Sequence, residues 1–204
     1  MNELELVEQA QQGNLDAFNR LVLAYQDLAF NLAYRMLNDD ARAEDATQTA
    51  FLSAFRNLSS YRGGSFKAWV MRMVVNCCYD ELRRRQRHPS IPLEPINEED
   101  GEEIESPSWM ADHDQLSPEA SLEQAELEHA IEHCLQHLSA EFRAAVIMVD
   151  VQGMNYQEVS TAAGIPLGTI KSRLARARLR LRDCLQKFSE LLPQQFRLDS
   201  EADE

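Results

Sequence analysis

The chain has 204 residues, 44% hydrophobic and 26% charged, with a formal net charge of −14 at pH 7. No run of about 18 apolar residues offers a membrane-spanning helix, and so acidic a total argues against a nucleic-acid binder until the chain is divided. Residues 1–88 carry 11 acidic and 11 basic side chains, 89–120 carry 10 acidic and no basic ones, 121–188 carry 8 of each, and 189–204 carry 5 acidic and 1 basic. All the excess acid therefore sits in one internal segment and one tail. Two electroneutral stretches remain, each with clustered cations, and clustered charge is the footprint of a DNA contact.

In chain order, the opening Met1-Asn2-Glu3-Leu4-Glu5-Leu6 is acidic and amphipathic and does not read as a signal peptide. Leu6, Val7 and Ala10, then Phe18, Leu21, Val22 and Tyr25, keep helical spacing across a Gly13-Asn14 break. Leu28, Ala29, Leu32, Ala33, Met36 and Leu37 continue it. Asp39 or Asp40 then supplies an N-cap for a helix whose core face is Ala43, Ala46, Ala50, Phe51, Ala54, Phe55 and Leu58. The outer face of that helix sets Asp45, Gln48, Thr49 and Leu52 at i, i+3, i+4 and i+7. A polar stripe interrupted by a leucine suits either solvent or a docking protein.

After the loop Tyr61-Arg62-Gly63-Gly64-Ser65, read as mobile, comes a helix over 66–87. Its buried stripe is predicted as Phe66, Trp69, Val70, Met73, Val74 and Cys77. On another face Arg72, Asn76, Tyr79 and Arg83 fall at i, i+4, i+7 and i+11. Arginine holds phosphate, an amide pairs with a base edge, and an aromatic ring stacks on an unpaired base. Such a stripe fits a single strand with extruded bases. The plainer reading is a polar face ending in cations favoured by the helix dipole.

Residues 89–120 hold five prolines and an acidic run from Glu98 to Glu105, so a flexible linker is expected there. The next helix buries Leu127, Ala130, Ile131, Cys134, Leu135 and Leu138. His129, His133 and His137 lie four apart along it; without an evident fourth ligand they read as a solvated, titrating face, and no metal or cofactor is expected. The four cysteines, Cys77, Cys78, Cys134 and Cys184, lack pair spacing and read as reduced thiols.

From Asn155 a short helix ends at Gly164, and a second begins near Thr169. That is the helix-turn-helix layout, whose second helix enters the major groove. Ile170, Leu174, Ala177 and Leu181 form its apolar face; Lys171, Arg173, Arg176, Arg178, Arg180 and Arg182 occupy the rest. The fold expected is all-α: two small helical domains, 1–88 and 121–188, joined by the acidic linker and followed by an acidic tail at 189–204, the second domain a helix-turn-helix.

Together, Asp45-Ala-Thr-Gln48, Phe51 to Phe55, Tyr61-Arg-Gly-Gly64, Phe66, Trp69, Val75-Asn76, Tyr156-Gln-Glu158, Gly164 to Arg173 and Arg176-Ala-Arg178 resemble an extracytoplasmic-function (ECF, group four) sigma factor of the sigma-seventy family. The resemblance covers about 150 residues in the family's order. It implies a dissociable, cytoplasmic initiation subunit of bacterial RNA polymerase, commonly restrained by an anti-sigma factor and catalysing nothing itself. It implies that Asp45, Gln48, Thr49 and Leu52 dock on the clamp helices of the largest polymerase subunit. Arg62, Lys67, Arg72, Asn76, Tyr79 and Arg83 would handle the melted −10 strand. The second domain would sit on the flap of the second-largest subunit, with Thr169, Lys171, Ser172, Arg173 and Arg176 on the −35 duplex. Ala46 stands where a larger aliphatic is usual and Thr49 where an acid is common, which makes the implied docking face less acidic. A competing class, a sensor-controlled helix-turn-helix regulator, needs a receiver or sensor domain; residues 1–88 show neither alternating strands nor a phosphate-binding glycine motif.

Overall fold

The computed structural model describes residues 2–87 and 118–193. The expected linker lies outside the described residues up to 117, and the expected tail from 194. Among the described residues there are eight α-helices and no strand.

Four of them make the N-terminal module: α1 Glu3–Gln11, α2 Leu15–Leu37, α3 Asp40–Asn57 and α4 Phe66–Arg87. The breaks follow from local chemistry. Gly13, at φ 93°, turns the chain, and the Asn14 side chain accepts from Ala17 N at 3.1 Å to start α2. Asn38 closes α2 in the left-handed conformation; Asp39 then accepts from Arg42 N at 3.0 Å to start α3. A 3₁₀ turn, Leu58–Ser60, leads to the glycine loop, and the Gln11 amide holds both ends of that turn by donating to Leu58 O and Tyr61 O. Alanines at 29, 33, 43, 50, 54 and 68 are fully buried, which lets the helices close tightly around Leu21, Leu32, Met36, Phe66 and Met71.

The C-terminal module begins with α5, Pro118–Gln136. Next comes α6, Ala140–Val146, which runs on as a π-helical turn through Val151. Then follow α7 Tyr156–Ala163, α8 Leu167–Leu185 and a 3₁₀ turn, Gln186–Leu191. Asn155 and Glu158 form a reciprocal capping box on α7. Gly164, at φ 66°, ends α7, and α8 starts two residues before Thr169.

The two modules pack against each other, α4 on α7 and α2 on α5 and α6. This changes which face of α4 is buried. Val70, Met71, Val74, Val75 and Cys78 are all buried, whereas Trp69, Met73 and Cys77 stay half-exposed. Periodicity placed the stripe for one covered face; α4 is covered on two. Phe55, predicted in the core, is 43% exposed.

Arg143, on α6, is the polar centre of the junction and only 6% exposed. Its guanidinium donates to Leu135 O at 2.9 Å, Gln136 O at 2.7 Å, Leu138 O at 3.2 Å and, across the module boundary, Met36 O at 2.6 Å. The last carbonyls of a helix lack intrahelical partners, and one planar cation satisfies the ends of both α5 and α2. Around it Arg35 pairs with Glu132, the Gln136 amide donates to Arg35 O at 3.0 Å, and the Gln152 amide donates to Leu28 O at 2.8 Å.

The cysteine expectation needs correction. Cys134 on α5 and Cys184 on α8 are joined in a disulfide, with Cα atoms 5.7 Å apart; Cys77 and Cys78 are free thiols. Fifty residues separate the pair in sequence, so no local spacing announces it.

Candidate nucleic-acid interface

The stripe on α3 emerges as a surface. Asp45, Gln48, Thr49 and Leu52 are all exposed, with Leu52 at 57%. They share a cleft of about 420 Å³ with Cys77, Asp80 and Arg84 of α4. On the other side of α3 an apolar groove of about 660 Å³ runs between α2 and α3, lined by Phe18, Val22, Phe30, Phe51, Leu52 and Phe55. Leu52 therefore stands on a ridge between a polar cleft and an apolar groove, an arrangement suited to a protein partner.

On α4, Arg72, Asn76 and Arg83 are exposed and Tyr79 is half-buried. Arg72 and Asn76 line a cleft of about 480 Å³ with Thr49, Ser53, Asn57, Ser60 and Trp69. Trp69, assigned by periodicity to the core, thus offers a ring beside the Asn76 amide, and the cleft is large enough for an unstacked base. Arg83 is paired with Asp80 at 3.0 Å. The loop before α4 is braced. Tyr61 Oη donates to Gly64 O at 2.7 Å, Arg62 donates to Ser59 O at 2.8 Å, and the rings of Tyr61, Phe66 and Trp69 lie 5.4–5.6 Å apart. Gly63 and Gly64 both have φ 96°, which a side chain would oppose.

On α8, Ile170, Leu174 and Ala177 are buried as the spacing predicts. Lys171, Ser172 and Arg176 are exposed, while Thr169 and Arg173 are half-buried. The remaining arginines are engaged within the module. Arg178 grips Asp150 through two nitrogens, which pushes its pKa up. Arg180 lies 4.9 Å over the Phe142 ring, and Arg182 pairs with Asp183 at 2.9 Å. Lys171 and Arg176 have no ion pair to any described residue.

The candidate −10 face packs against α7 and the turn that leads into α8. The Arg72 guanidinium would lie 3.4 Å from a Cβ at Gly164, the turn of the helix-turn-helix. Ser65 donates to Glu158 at 2.8 Å, and Lys67 donates to Gln152 O at 3.1 Å. Tyr79 is pushed up to about 12, chiefly by burial, with Glu141 raising it further and Arg173 opposing.

Comparison with known families covers this same pair of modules. Residues 21–88 match the model of sigma-70 region 2, and residues 128–181 match that of sigma-70 region 4. The chain belongs to the ECF sigma factors of the sigma-70 family, being 31% identical to the ECF RNA polymerase sigma-E factor of Haemophilus influenzae over 91% of this chain and 96% of that one. It is 35% identical to the ECF RNA polymerase sigma factor SigE of Mycolicibacterium smegmatis, over 87% of this chain and 65% of that relative. It is 34% identical to the RNA polymerase sigma-H factor of Pseudomonas aeruginosa, over 89% of this chain and 93% of that one. Among solved structures it is similar to the sigma factor RpoE of Bartonella quintana in complex with the anti-sigma factor NepR: TM-score 0.61 and 25% identity, covering 82% of this chain and 96% of that one. As an ECF sigma factor the chain is a promoter-directing subunit and not an enzyme.

Periodicity put the α3 stripe and Arg72, Asn76 and Arg83 of α4 at the surface, where they lie, but put Trp69 in the core, whereas it lines a cleft with Ser53, Asn57 and Ser60. Trp69 was masked because an aromatic at core spacing reads as core. His129, His133 and His137 form no metal cluster among the described residues: the His133 and His137 rings lie 4.2 Å apart, and His133 meets Phe188 edge-on.

Proposed function

We propose that this sigma factor engages RNA polymerase and promoter DNA through two modules, residues 1–88 and 121–188, and that the packed arrangement is its resting state. Asp45, Gln48, Thr49 and Leu52 dock on the clamp helices of the largest subunit. Arg62, Lys67, Arg72 and Arg83 hold the phosphates of the melted −10 strand, while Asn76 and Trp69 receive an extruded base in the 480 Å³ cleft and Tyr79, outside that cleft, meets the strand once the modules part. The second module seats on the flap of the second-largest subunit, and Thr169, Lys171, Ser172, Arg173 and Arg176 read the −35 duplex. The protein works in the cytoplasm, held by an anti-sigma partner as the Bartonella relative is held by NepR.

One observation carries the reading: Arg72 of the candidate −10 face lies against Gly164, the turn of the helix-turn-helix, so one DNA-holding side chain is occupied by the other module. Arg72 cannot hold a phosphate while it is packed on that turn, so promoter engagement through it requires the modules to part. The test is run-off transcription with purified core polymerase on promoter and control templates, comparing wild type with Asn76→Ala. The variant should bind core and the −35 element normally, open a duplex promoter more slowly, and partly recover on a template mismatched at the −10 element. Wild-type opening rates would make Asn76 a bystander, and absence of promoter-dependent transcripts from wild type would overturn the function.

A further inference from the structure

Cys134 and Cys184 take no part in docking or DNA reading, yet they connect the two helices on which closure and reading depend. Cys134 is buried on α5, two residues from both Glu132 and Gln136, which grip the end of α2 across the module boundary. Cys184 is half-exposed at the far end of α8, whose opposite half carries Lys171 and Arg176. Phe188, in the turn after α8, packs its ring on His133 of α5, so ring contact and disulfide together fasten α5 to the end of α8.

We propose that Cys134 and Cys184 form a reversible thiol–disulfide site that sets how firmly the C-terminal module holds the N-terminal one. This rests on the sigma-factor reading, because that reading puts the chain in a compartment that keeps thiols reduced, where a disulfide is a redox signal rather than a permanent staple. The oxidant class is a low-molecular-weight disulfide, R–S–S–R. The half-exposed Cys184, as thiolate, attacks one of its sulfurs and releases R–S⁻. Cys134 gives its proton to solvent, and its thiolate displaces the second R–S⁻ from the mixed disulfide. The protein loses two electrons, the reagent gains two, and two R–SH are formed. Reduction by excess R–SH runs the same steps backwards. Oxidation fixes α5 so that Glu132, Gln136 and the carbonyls bound by Arg143 are presented ready for the end of α2; reduction lets α5 move on α8 and weakens that grip.

The test uses the full chain in buffers of graded reduced-to-oxidised glutathione, with thiols trapped by alkylation and located by mass spectrometry. Cys134 and Cys184 should interconvert reversibly as a pair, half-way at ratios between those of oxidising and reducing compartments, while Cys77 and Cys78 remain thiols. Reduction should lower the melting temperature by on the order of 10 °C, since the bond closes a loop of about 50 residues. It should also speed amide exchange over α2 residues 28–38 by about threefold or more. Cys184→Ser and Cys134→Ser/Cys184→Ser should match the reduced protein and ignore glutathione; the single variant keeps the buried position intact. No reversible pairing under any buffer overturns the proposal, and so does pairing that leaves exchange over 28–38 unchanged. Run-off transcription in both redox states is a separate arm. Failure in both states would sink the sigma-factor reading while leaving the thiol and exchange results to decide the switch.

Discussion

Arg143 shows how one side chain can decide a junction. Its guanidinium satisfies three carbonyls of its own module and Met36 O of the other from a site almost closed to water. Burial lowers its pKa while Glu132 opposes that, and the guanidinium stays charged, so its five N–H groups must all find acceptors. Arg143→Ala strands those carbonyls, and we expect a loss of about 3–5 kcal/mol in urea unfolding. Arg143→Lys should recover less than half, because a point charge cannot reach two helix ends at once. Cys78 gives a second residue-level expectation. Its thiol is fully buried on α4, and burial first, then neighbouring Cys77, pushes it up to about 12 from an ordinary 9. A group that holds its proton more tightly when folded adds stability below its unfolded pKa, and that stability is lost as pH climbs from 9 towards 12. Between those values wild type should lose up to about 1.4 kcal/mol per pH unit more than Cys78→Ala, read from unfolding curves at stepped pH. Equal slopes would mean that the thiol ionises freely in the folded chain.

At the scale of elements, α8 divides its cations by role. Arg178, Arg180 and Arg182 are spent on Asp150, Phe142 and Asp183, leaving Lys171 and Arg176 projecting from the other half. Arg176→Ala should cost roughly 1–3 kcal/mol on the cognate −35 sequence and less on random duplex in a gel-shift titration; equal losses would reduce it to a phosphate contact. Much of this was legible from the chain. The cap at Asp39, the Gly164 stop, the apolar line Ile170–Leu174–Ala177 and the exposed α3 stripe all follow from periodicity and terminal chemistry, which are local. What escaped is non-local. Val75 and Met71 are buried because a second module covers α4, Phe55 touches Phe18 but stays exposed because no further described element covers that side of α3, and Arg143 looks like any surface arginine until its carbonyls are counted. The Cys134–Cys184 pairing depends on two helices, distant in sequence, meeting near their C-terminal ends, which no spacing rule records.

For the whole molecule, the contacts that join the modules are non-covalent but well partnered: Arg35 with Glu132, Gln136 with Arg35 O, Gln152 with Leu28 O and Ser65 with Glu158. A protease site placed within residues 96–105 should therefore nick the chain without parting it. The two fragments should co-elute on gel filtration, and should separate when Gln136→Ala is combined with Gln152→Ala. Fragments that separate from the unmutated chain would mean that the packed arrangement is too weak to matter in solution.

The grip on the end of α2 also has a meaning for genetics. Selection for promoter activity without the inducing signal asks only that the resting arrangement fail. Residues that touch neither DNA nor polymerase are the cheapest way to fail it. Constitutive alleles of this gene should thus gather at Arg35, Glu132 and Gln136, outside both promoter-reading faces, whereas loss-of-function alleles gather at Asn76 and Arg176. Mapped by phenotype alone, the first group would look like a regulator's binding site, when its members form the seam between the two modules.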